Sequence, residues 1–389
     1  MSEKLLPNRD HAHKPATGLY NLVDLGTLGG NDSFGYGINA YGQVVGYSDM
    51  PGDKMEHAFR TAPGGDIRDS NALLETPWRT ENYAQAINDA GQVVGLTWIP
   101  PPSGWKDADG HVITPRPDAF DNNAIHAFRT TATGKICEDG ADLGTLGGSF
   151  SGAHDINASG QVTGDSALKQ GSSRAFRTTA TGTLADGTAA DLETLGGESS
   201  IGHGINVHGQ VAGASSLADK KCRHAFRSSG NESPMPILTD LGTLGGTHST
   251  AYDINESGQV VGESALSGDT ATHGFRTTAH GSLDDGTATD LGTLGGLNSH
   301  AFAINAHGHV VGSSDLAHSE FPGLSDWYAF LYTDEHGMQD LNHLLSPEDC
   351  ARCQLQSATD INDFGQITGL AIFEDGIRAY LMTPISTAI

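Results

Sequence analysis

The chain has 389 residues and a formal net charge of −26 at pH 7. An acidic excess of this size disfavours nucleic acid and anionic membrane surfaces as partners. No apolar run approaches the roughly 18–20 residues of a membrane span, so we expect no membrane insertion, and four cysteines are too few for a disulfide framework.

One pattern recurs along almost the whole chain. Its clearest copy joins residues 240–246, 249–255, 258–262 and 273–276. Each copy is anchored by an Ile-Asn pair, which begins at Ile38, Ile87, Ile156, Ile205, Ile254, Ile304 and Ile361. Successive copies therefore start 49, 69, 49, 49, 50 and 57 residues apart. A period near 50 with a β-type pattern predicts a repeat architecture.

Each copy contains four short segments of strand character separated by turns. The Asn-x-x-Gly run, as in 255–258, predicts a hairpin because Asn favours the start of a turn and Gly tolerates a positive φ. Four strands in about 40–50 residues are typical of one blade of a β-propeller. The sequence therefore predicts an all-β fold, a seven-bladed β-propeller with four antiparallel strands per blade.

The two ends of the chain predict how this ring closes. Residues 1–18 are polar and predict a flexible arm, and residues 19–389 predict a single propeller domain. The last copy has no fourth strand, whereas residues 19–30 have the pattern of a fourth strand alone. We therefore expect 19–30 to complete the seventh blade, which leaves no long unpaired edge.

Taken in chain order, the predicted blades differ mainly in their loops. They span about 31–77, 78–148, 149–197, 198–246, 247–296, 297–345 and 346 onwards. Blade 2 carries the largest insertion, 97–125, with Trp98 and Trp105, and blade 6 has a longer loop with Trp327. Both loops join the second and third strands, so we expect them on one face, where a rigid scaffold usually binds its ligand.

A short His-Ala-Phe run marks the third segment of several copies. It stands at His57, His126 and His224, and it varies to His-Gly-Phe at His273. Because of this run and the repeat period of about 50 residues, residues 20–384 resemble the HAF-repeat family, which is described as extracellular repeat proteins. The resemblance implies a repeat fold and no established activity.

Side chains that recur at one repeat position are expected to serve the scaffold. The four histidines of this run hold such a position, so we interpret them as structural hydrogen-bonding groups. An arginine follows three residues later, as in Arg227, and an aspartate stands on the next strand, as in Asp240. We expect these two residues to form cross-strand ion pairs.

Function is expected where the copies differ. The residues two and four positions before each Ile-Asn vary, and strand alternation predicts that both face the mouth of the central channel. The candidates for catalysis are His154, His203, Tyr252, His300 and Tyr36. The candidates for substrate contact are Phe34, Tyr83, Gln85, His248, Phe302, Trp98, Trp105 and Trp327.

These side chains predict an enzyme that transforms a small organic molecule by lyase, cyclase, isomerase or hydrolase chemistry. Imidazole is a general acid or base near neutral pH. We expect no cofactor, although grouped imidazoles also bind a divalent metal. The alternative is a non-catalytic propeller that binds a protein or a carbohydrate through the same face, and the sequence leaves both interpretations open.

The first 18 residues also bear on the compartment. They hold basic and polar side chains and lack the apolar core of a secretory signal. The sequence therefore predicts a cytoplasmic protein, which departs from the extracellular description of the family that the chain resembles.

Overall fold

The computed structural model describes residues 18–52, 55–69, 71–76, 80–99, 124–138, 140–218, 222–233, 235–317 and 327–385. Within these residues the fold is all-β, with 27 strands, a short α-helix and a 3-10 helix. None of the helices in these ranges is long and apolar enough to cross a membrane. Residues 1–17 of the predicted arm and Trp105 lie outside the described residues.

The strands follow the copies of the sequence repeat. The first strand and the first two copies comprise β1 (Tyr20–Asp24), β2 (Ser33–Ile38), β3 (Val44–Asp49), β4 (Glu56–Arg60), β5 (Asn82–Ile87), β6 (Val93–Ile99), β7 (Ala124–Arg129) and β8 (Asp142–Gly144). The third and fourth copies comprise β9 (Gly147–Ile156), β10 (Val162–Leu168), β11 (Ser173–Arg177), β12 (Ala190–Asp191), β13 (Gly196–Ile205), β14 (Val211–Leu217), β15 (Arg223–Ser228) and β16 (Leu238–Asp240).

The remaining copies continue the same order. The fifth and sixth comprise β17 (Gly245–Ile254), β18 (Val260–Leu266), β19 (Thr272–Arg276), β20 (Thr289–Asp290), β21 (Gly295–Ile304), β22 (Val310–Leu316), β23 (Trp327–Thr333) and β24 (Gly337–Asp340). A 3-10 helix (Leu341–Leu344) and α1 (Pro347–Arg352) lead to the seventh, which comprises β25 (Cys353–Ile361), β26 (Ile367–Phe373) and β27 (Gly376–Pro384).

Antiparallel pairing joins the strands of each copy in sequence order. In the seventh copy the outer partner of β27 is β1, with Tyr20 opposite Pro384 and Asp24 opposite Tyr380. Single parallel contacts, between β7 and β9 and between β15 and β17, join neighbouring copies into larger sheets. The first strand of the chain thus pairs with its last strand, as predicted for residues 19–30.

Apolar side chains fill the space between neighbouring copies. The phenylalanine of the His-Ala-Phe position is fully buried in six copies and is replaced by a buried tyrosine in the seventh: Phe59, Phe128, Phe176, Phe226, Phe275, Phe330 and Tyr380. Phe275 packs in one cluster with Ile254 of its own copy and with Ala212 and Ala225 of the preceding copy. The core therefore consists of layers between successive sheets, which is a propeller-like arrangement.

The predicted Asn-x-x-Gly hairpins are confirmed. In the fifth copy the Gly258 N–H donates to the Asn255 carbonyl at 2.9 Å, and Gly258 has a φ of +84°, which glycine adopts without strain. The Asn255 side chain holds the turn because its Oδ1 accepts from the backbone N–H of Gln259 at 3.0 Å.

The same asparagines link all the copies in a closed circle. Asn39 Nδ2 donates to the carbonyl of Asn88 at 3.2 Å, and Asn362 Nδ2 donates back to the carbonyl of Asn39 at 2.9 Å. The five asparagines between them make the same bond to the next copy: Asn88, Asn157, Asn206, Asn255 and Asn305. Each copy therefore depends on its successor for a buried hydrogen bond.

Acidic side chains in three of these turns add further links between copies. Backbone N–H groups donate to them from the preceding copy at 2.8–2.9 Å. The acceptors are Asp89, Glu256 and Asp363, which tie the second copy to the first, the fifth to the fourth and the seventh to the sixth.

Every first strand of a copy contains a β-bulge two residues before its Ile-Asn pair. In β2, Gly35 pairs with Gly46 and Gly37 with Val45, which leaves Tyr36 as the extra residue. A Cβ on Gly46 would lie 1.8 Å from the Phe34 carbonyl oxygen, and the other copies are equally tight at 1.8–2.0 Å. The glycine of the Val-Val-Gly pattern is therefore required for the bulge to close against the next strand.

The predicted Arg–Asp pairs are wrong. His224 Nδ1 lies 2.9 Å from Asp240 Oδ1, and the same pairing joins His126 to Asp142 and His273 to Asp290. Arg227 instead donates through Nη1 to the carbonyl of Gly258, in the turn of the next copy, at 3.1 Å. The histidines are structural as predicted, whereas the arginines connect neighbouring copies.

Candidate functional site

The bulge residues of all seven copies line one cavity of about 370 Å³. They are Tyr36, Gln85, His154, His203, Tyr252, Phe302 and Thr359. In five copies the residue that follows the bulge residue also lines the cavity, namely Ala86, Asp155, Asp253, Ala303 and Asp360. A bulge turns two consecutive side chains toward one side of the strand. The prediction that side chains alternate strictly along these strands is therefore wrong at the bulge. The residues two positions before each Ile-Asn nevertheless line one cavity.

Four rings form a continuous wall of this cavity. His154 and His203 have ring centroids 5.4 Å apart, His203 and Tyr252 5.5 Å, and Tyr252 and Phe302 5.5 Å. These four residues belong to successive copies, so the bulge repeats one side-chain position around the cavity. The wall thus combines two imidazoles and a phenol, each in contact with the next.

Carboxylates on the second strands orient two of the candidate histidines. His154 Nε2 lies 3.2 Å from Asp165 Oδ1, and Ser173 donates to the other oxygen of Asp165 at 2.6 Å. His300 Nδ1 lies 3.2 Å from Glu263 Oε2. A carboxylate beside an imidazole fixes the tautomer and stabilises the imidazolium. His154 and His300 are therefore each oriented by a carboxylate.

The protonation states along the ring wall differ. Burial, followed by the neighbouring His154 and then Arg223, lowers the pKa of His203 well below its ordinary value. Burial, followed by the charge and hydrogen bond of Glu263, raises the pKa of Tyr252. At neutral pH a neutral imidazole therefore stands beside a protonated phenol.

Three aspartates, in alternate copies, line the cavity. Asp155 accepts backbone N–H groups from Ile156 in its own strand and from Ile205 in the next copy, at 2.7 and 2.8 Å. Asp253 and Asp360 make the same two bonds, at 2.7–2.9 Å. In the copy that precedes Asp253 the equivalent position is Gly204, where a Cβ would lie 2.8 Å from Asp253 Cα. Each aspartate therefore bridges two copies while facing the cavity.

Burial raises the pKa of all three carboxyls, to about 8 for Asp155, about 6 for Asp253 and about 7 for Asp360. The charge of Asp253 adds to the increase for Asp155 and Asp360. The backbone N–H donors act in the opposite direction and do not offset the burial. The cavity therefore holds protons on carboxyl groups near neutral pH.

The other predicted site residues surround this cavity rather than line it. His300 contacts Phe302 and Trp327, with ring centroids 6.0 and 4.7 Å apart. Phe34 stacks on Tyr47 at 4.7 Å, and Tyr47 in turn contacts the bulge residue Tyr36.

Tyr83 and Trp98 belong to the same outer group. Tyr83 contacts Tyr47 at 4.9 Å and Trp98 at 5.7 Å, and its hydroxyl donates to Glu56. His248 is exposed, bonds to the neighbouring Thr247 and is not part of the lining.

Sequence reasoning missed the carboxylates of the site. Asp165 and Glu263 follow the glycine of Val-Val-Gly, a position that also varies among the copies: Tyr47, Leu96, Asp165, Ala214, Glu263, Ser313 and Leu370. That variation was a usable signal. The Asp-Ile-Asn form of three copies was a second one, because it replaces a small residue by a charged one at a repeated position.

Among the residues that the structure describes, no group of three or more His, Cys, Asp and Glu side chains is placed to hold an ion.

Comparison with known proteins adds little beyond the fold. A family described as a protein of unknown function, DUF3466, matches residues 242–376, about a third of the chain. The resemblance to the HAF-repeat family is therefore wrong, because no HAF-repeat family matches. The chain matches no curated protein.

Solved structures show only distant likeness. TolB from Acinetobacter baumannii is 10% identical with a TM-score of 0.40, over 75% of this chain and 64% of that one. Trypanosoma rangeli sialidase is 8% identical with a TM-score of 0.40, over 94% and 59%, and its complex with sialic acid is 10% identical with a TM-score of 0.40, over 96% and 60%. The chain thus spans less than two thirds of each, and the likeness supports no inference about function.

Proposed function

We propose that the seven copies are the blades of a closed seven-bladed propeller, and that the cavity is the active site of an enzyme for a small organic molecule. The circle of asparagine hydrogen bonds and the pairing of β1 with β27 support the closed ring. The cavity volume of about 370 Å³ lies within the range of small-molecule sites, about 300–1,000 Å³.

The observation that carries this function is the contact of His203 with Tyr252 inside the cavity. A neutral imidazole accepts a proton and a protonated phenol donates one, and the two groups are close enough to act on one bound molecule. Environments that displace the pKa values of neighbouring groups in opposite directions are typical of acid–base pairs. The chemistry is therefore elimination, isomerisation, cyclisation or hydrolysis by proton transfer.

The neighbouring groups have supporting roles in this proposal. His154, oriented by Asp165, exchanges protons with His203 or with the substrate. Asp155, whose pKa is raised to about 8, retains a proton at neutral pH and donates a hydrogen bond to the substrate. Phe302 supplies an apolar surface at the end of the ring wall.

The proposal is tested by incubating the protein with fractionated mixtures of small metabolites and following substrate loss and product mass by mass spectrometry. We expect conversion of at least one component, and a loss of about 100-fold or more in His203→Ala and Tyr252→Phe. The matched control is His208→Ala, an exposed histidine of the fourth-copy turn outside the cavity. Unchanged conversion by His203→Ala would overturn the assignment, and retention of a molecule without conversion would favour the non-catalytic binding module.

A further inference from the structure

One turn of the repeat departs from the other six. In those six turns the residue after the glycine is a glutamine, whose Oε1 accepts from the Nδ2 of the turn asparagine at 2.9–3.0 Å. The sixth copy has His309 at this place. Its ring makes no hydrogen bond to the part of the chain that the structure describes, and its Nδ1 is buried. His309 therefore does not hold the turn as the glutamines do, and its ring can present either nitrogen by a half-turn about the Cβ–Cγ bond.

A second histidine lies beside it. His307 is exposed in the same turn, and its ring centroid is 5.8 Å from that of His309. A metal bound by imidazole lies about 2.0–2.1 Å from the nitrogen and so about 3.2 Å from the ring centroid. Two rings that share one ion are then at most about 6.4 Å apart, and 5.8 Å corresponds to an angle of about 130° at the metal.

The surroundings leave room for an ion and further ligands. His307 and His309 both line two surface cavities of about 790 and 850 Å³. Arg276 donates to the carbonyl of Gly308, between the two histidines, at 2.6 Å, and its charge is paired with Asp334.

We propose that His307 and His309 form a site for a divalent cation of the late first row, such as Zn²⁺. Imidazole ligands favour these ions over Mg²⁺ and Ca²⁺. Within the described ranges no third His, Cys, Asp or Glu completes the set, so the remaining coordination positions are open to water or to a small ligand. This site is separate from the cavity described above and does not depend on the function proposed for it.

The test is a calorimetric titration of the full chain with zinc chloride. All samples carry His11→Ala and His13→Ala, because the sequence contains a second His-x-His pair there. We expect His309→Gln to lose one bound ion, or to bind it at least tenfold more weakly, without loss of fold, since glutamine is the residue of the other six copies. His307→Ala is expected to behave in the same way.

The fourth copy supplies matched controls, because His208 occupies the position of His307 and is followed by Gln210. We expect His208→Ala to bind zinc as the parent does, and Gln210→His to gain one ion by creating the same spacing. Three results would overturn the proposal: a parent protein that binds no zinc, equal binding by His309→Gln, or no additional ion in Gln210→His.

Discussion

The turns of the repeats and the cavity differ in what their side chains must do. At the turns the same asparagine occurs in all seven copies, because its amide has to reach the backbone of the next copy. At the cavity the bulge fixes the direction of a side chain and leaves its chemistry open, so tyrosine, glutamine, histidine, phenylalanine and threonine all occur. A contact between copies therefore fixes the residue type at the turn, whereas the bulge leaves the residue type free.

The three cavity aspartates combine both roles. Each one bridges two copies through backbone N–H groups and also faces the cavity. A change at these residues is therefore expected to affect the scaffold and the site together, unlike a change at a turn asparagine or at a bulge residue.

The largest effect is expected for Asn206→Ala. Asn206 is buried and donates to Asn255 and Gln210, while its Oδ1 accepts from the Gln210 N–H. Its removal leaves several buried polar groups without partners, at about 1–3 kcal/mol each, so we expect a loss of about 3–5 kcal/mol in the free energy of unfolding. Urea denaturation measures this loss, with His208→Ala in the same turn as the control. A loss under about 1 kcal/mol would contradict the role of the asparagine circle.

A rise in pH is expected to have an intermediate effect on the free energy of unfolding. The pKa of Asp155 is about 8 in the folded protein and near 3.8 in the unfolded chain, so its contribution to stability is complete below about pH 4 and is lost as the pH rises through 8. Between pH 7 and pH 9 we expect the free energy of unfolding to fall by about 1.5 kcal/mol.

Denaturation at the two pH values checks this fall, and Asp155→Asn isolates its source. The variant cannot ionise at this position, so its fall over the same interval is expected to be only a few tenths of a kcal/mol, largely from Asp360, whose pKa is about 7. Equal falls in the two proteins would show that Asp155 does not hold the proton.

The smallest effect is expected for Gln85→Ala. Gln85 lines the cavity and makes no side-chain hydrogen bond to the described residues, so we expect its loss to change the unfolding free energy by less than about 0.5 kcal/mol. Gln92→Ala is the matched comparison, because Gln92 accepts from Asn88 at 3.0 Å in the turn, and we expect a loss of about 1 kcal/mol. Thermal denaturation of the pair measures the difference, and the reverse order would contradict the comparison made here between turn and cavity.

Local signals made part of the structure predictable. The period placed the copies, and Asn-x-x-Gly predicted the turns, because the interactions that hold a hairpin turn lie within one short segment of the chain. The sequence predicted that residues 19–30 complete the last copy, since an unpaired edge is costly, and within that segment Tyr20–Asp24 pair with the last strand.

Features that depend on distant partners were not predictable in the same way. A bulge adds one residue to a strand, but here every copy has it, so no copy is longer than the others at this point. We therefore assumed that side chains alternate between the two faces of the strand through Tyr36 and its equivalents. Arg227 meets the Gly258 carbonyl of the next copy, and the sequence does not say which copy supplies the acceptor of this side chain. A three-residue run such as His-Ala-Phe was too short to identify a family.

The acidic links between copies are distributed unevenly. The cavity aspartates join the third copy to the fourth, the fifth to the sixth and the seventh to the first, and the turn acids join three other junctions. Within the described part of the chain, the junction of the second and third copies has no such link. The parallel contact of β7 with β9 and the hydrogen bond of Arg129 to the Gly160 carbonyl at 2.8 Å hold that junction instead. Gln85 and His154 stand on its two sides, so this part of the cavity wall is joined without a carboxylate.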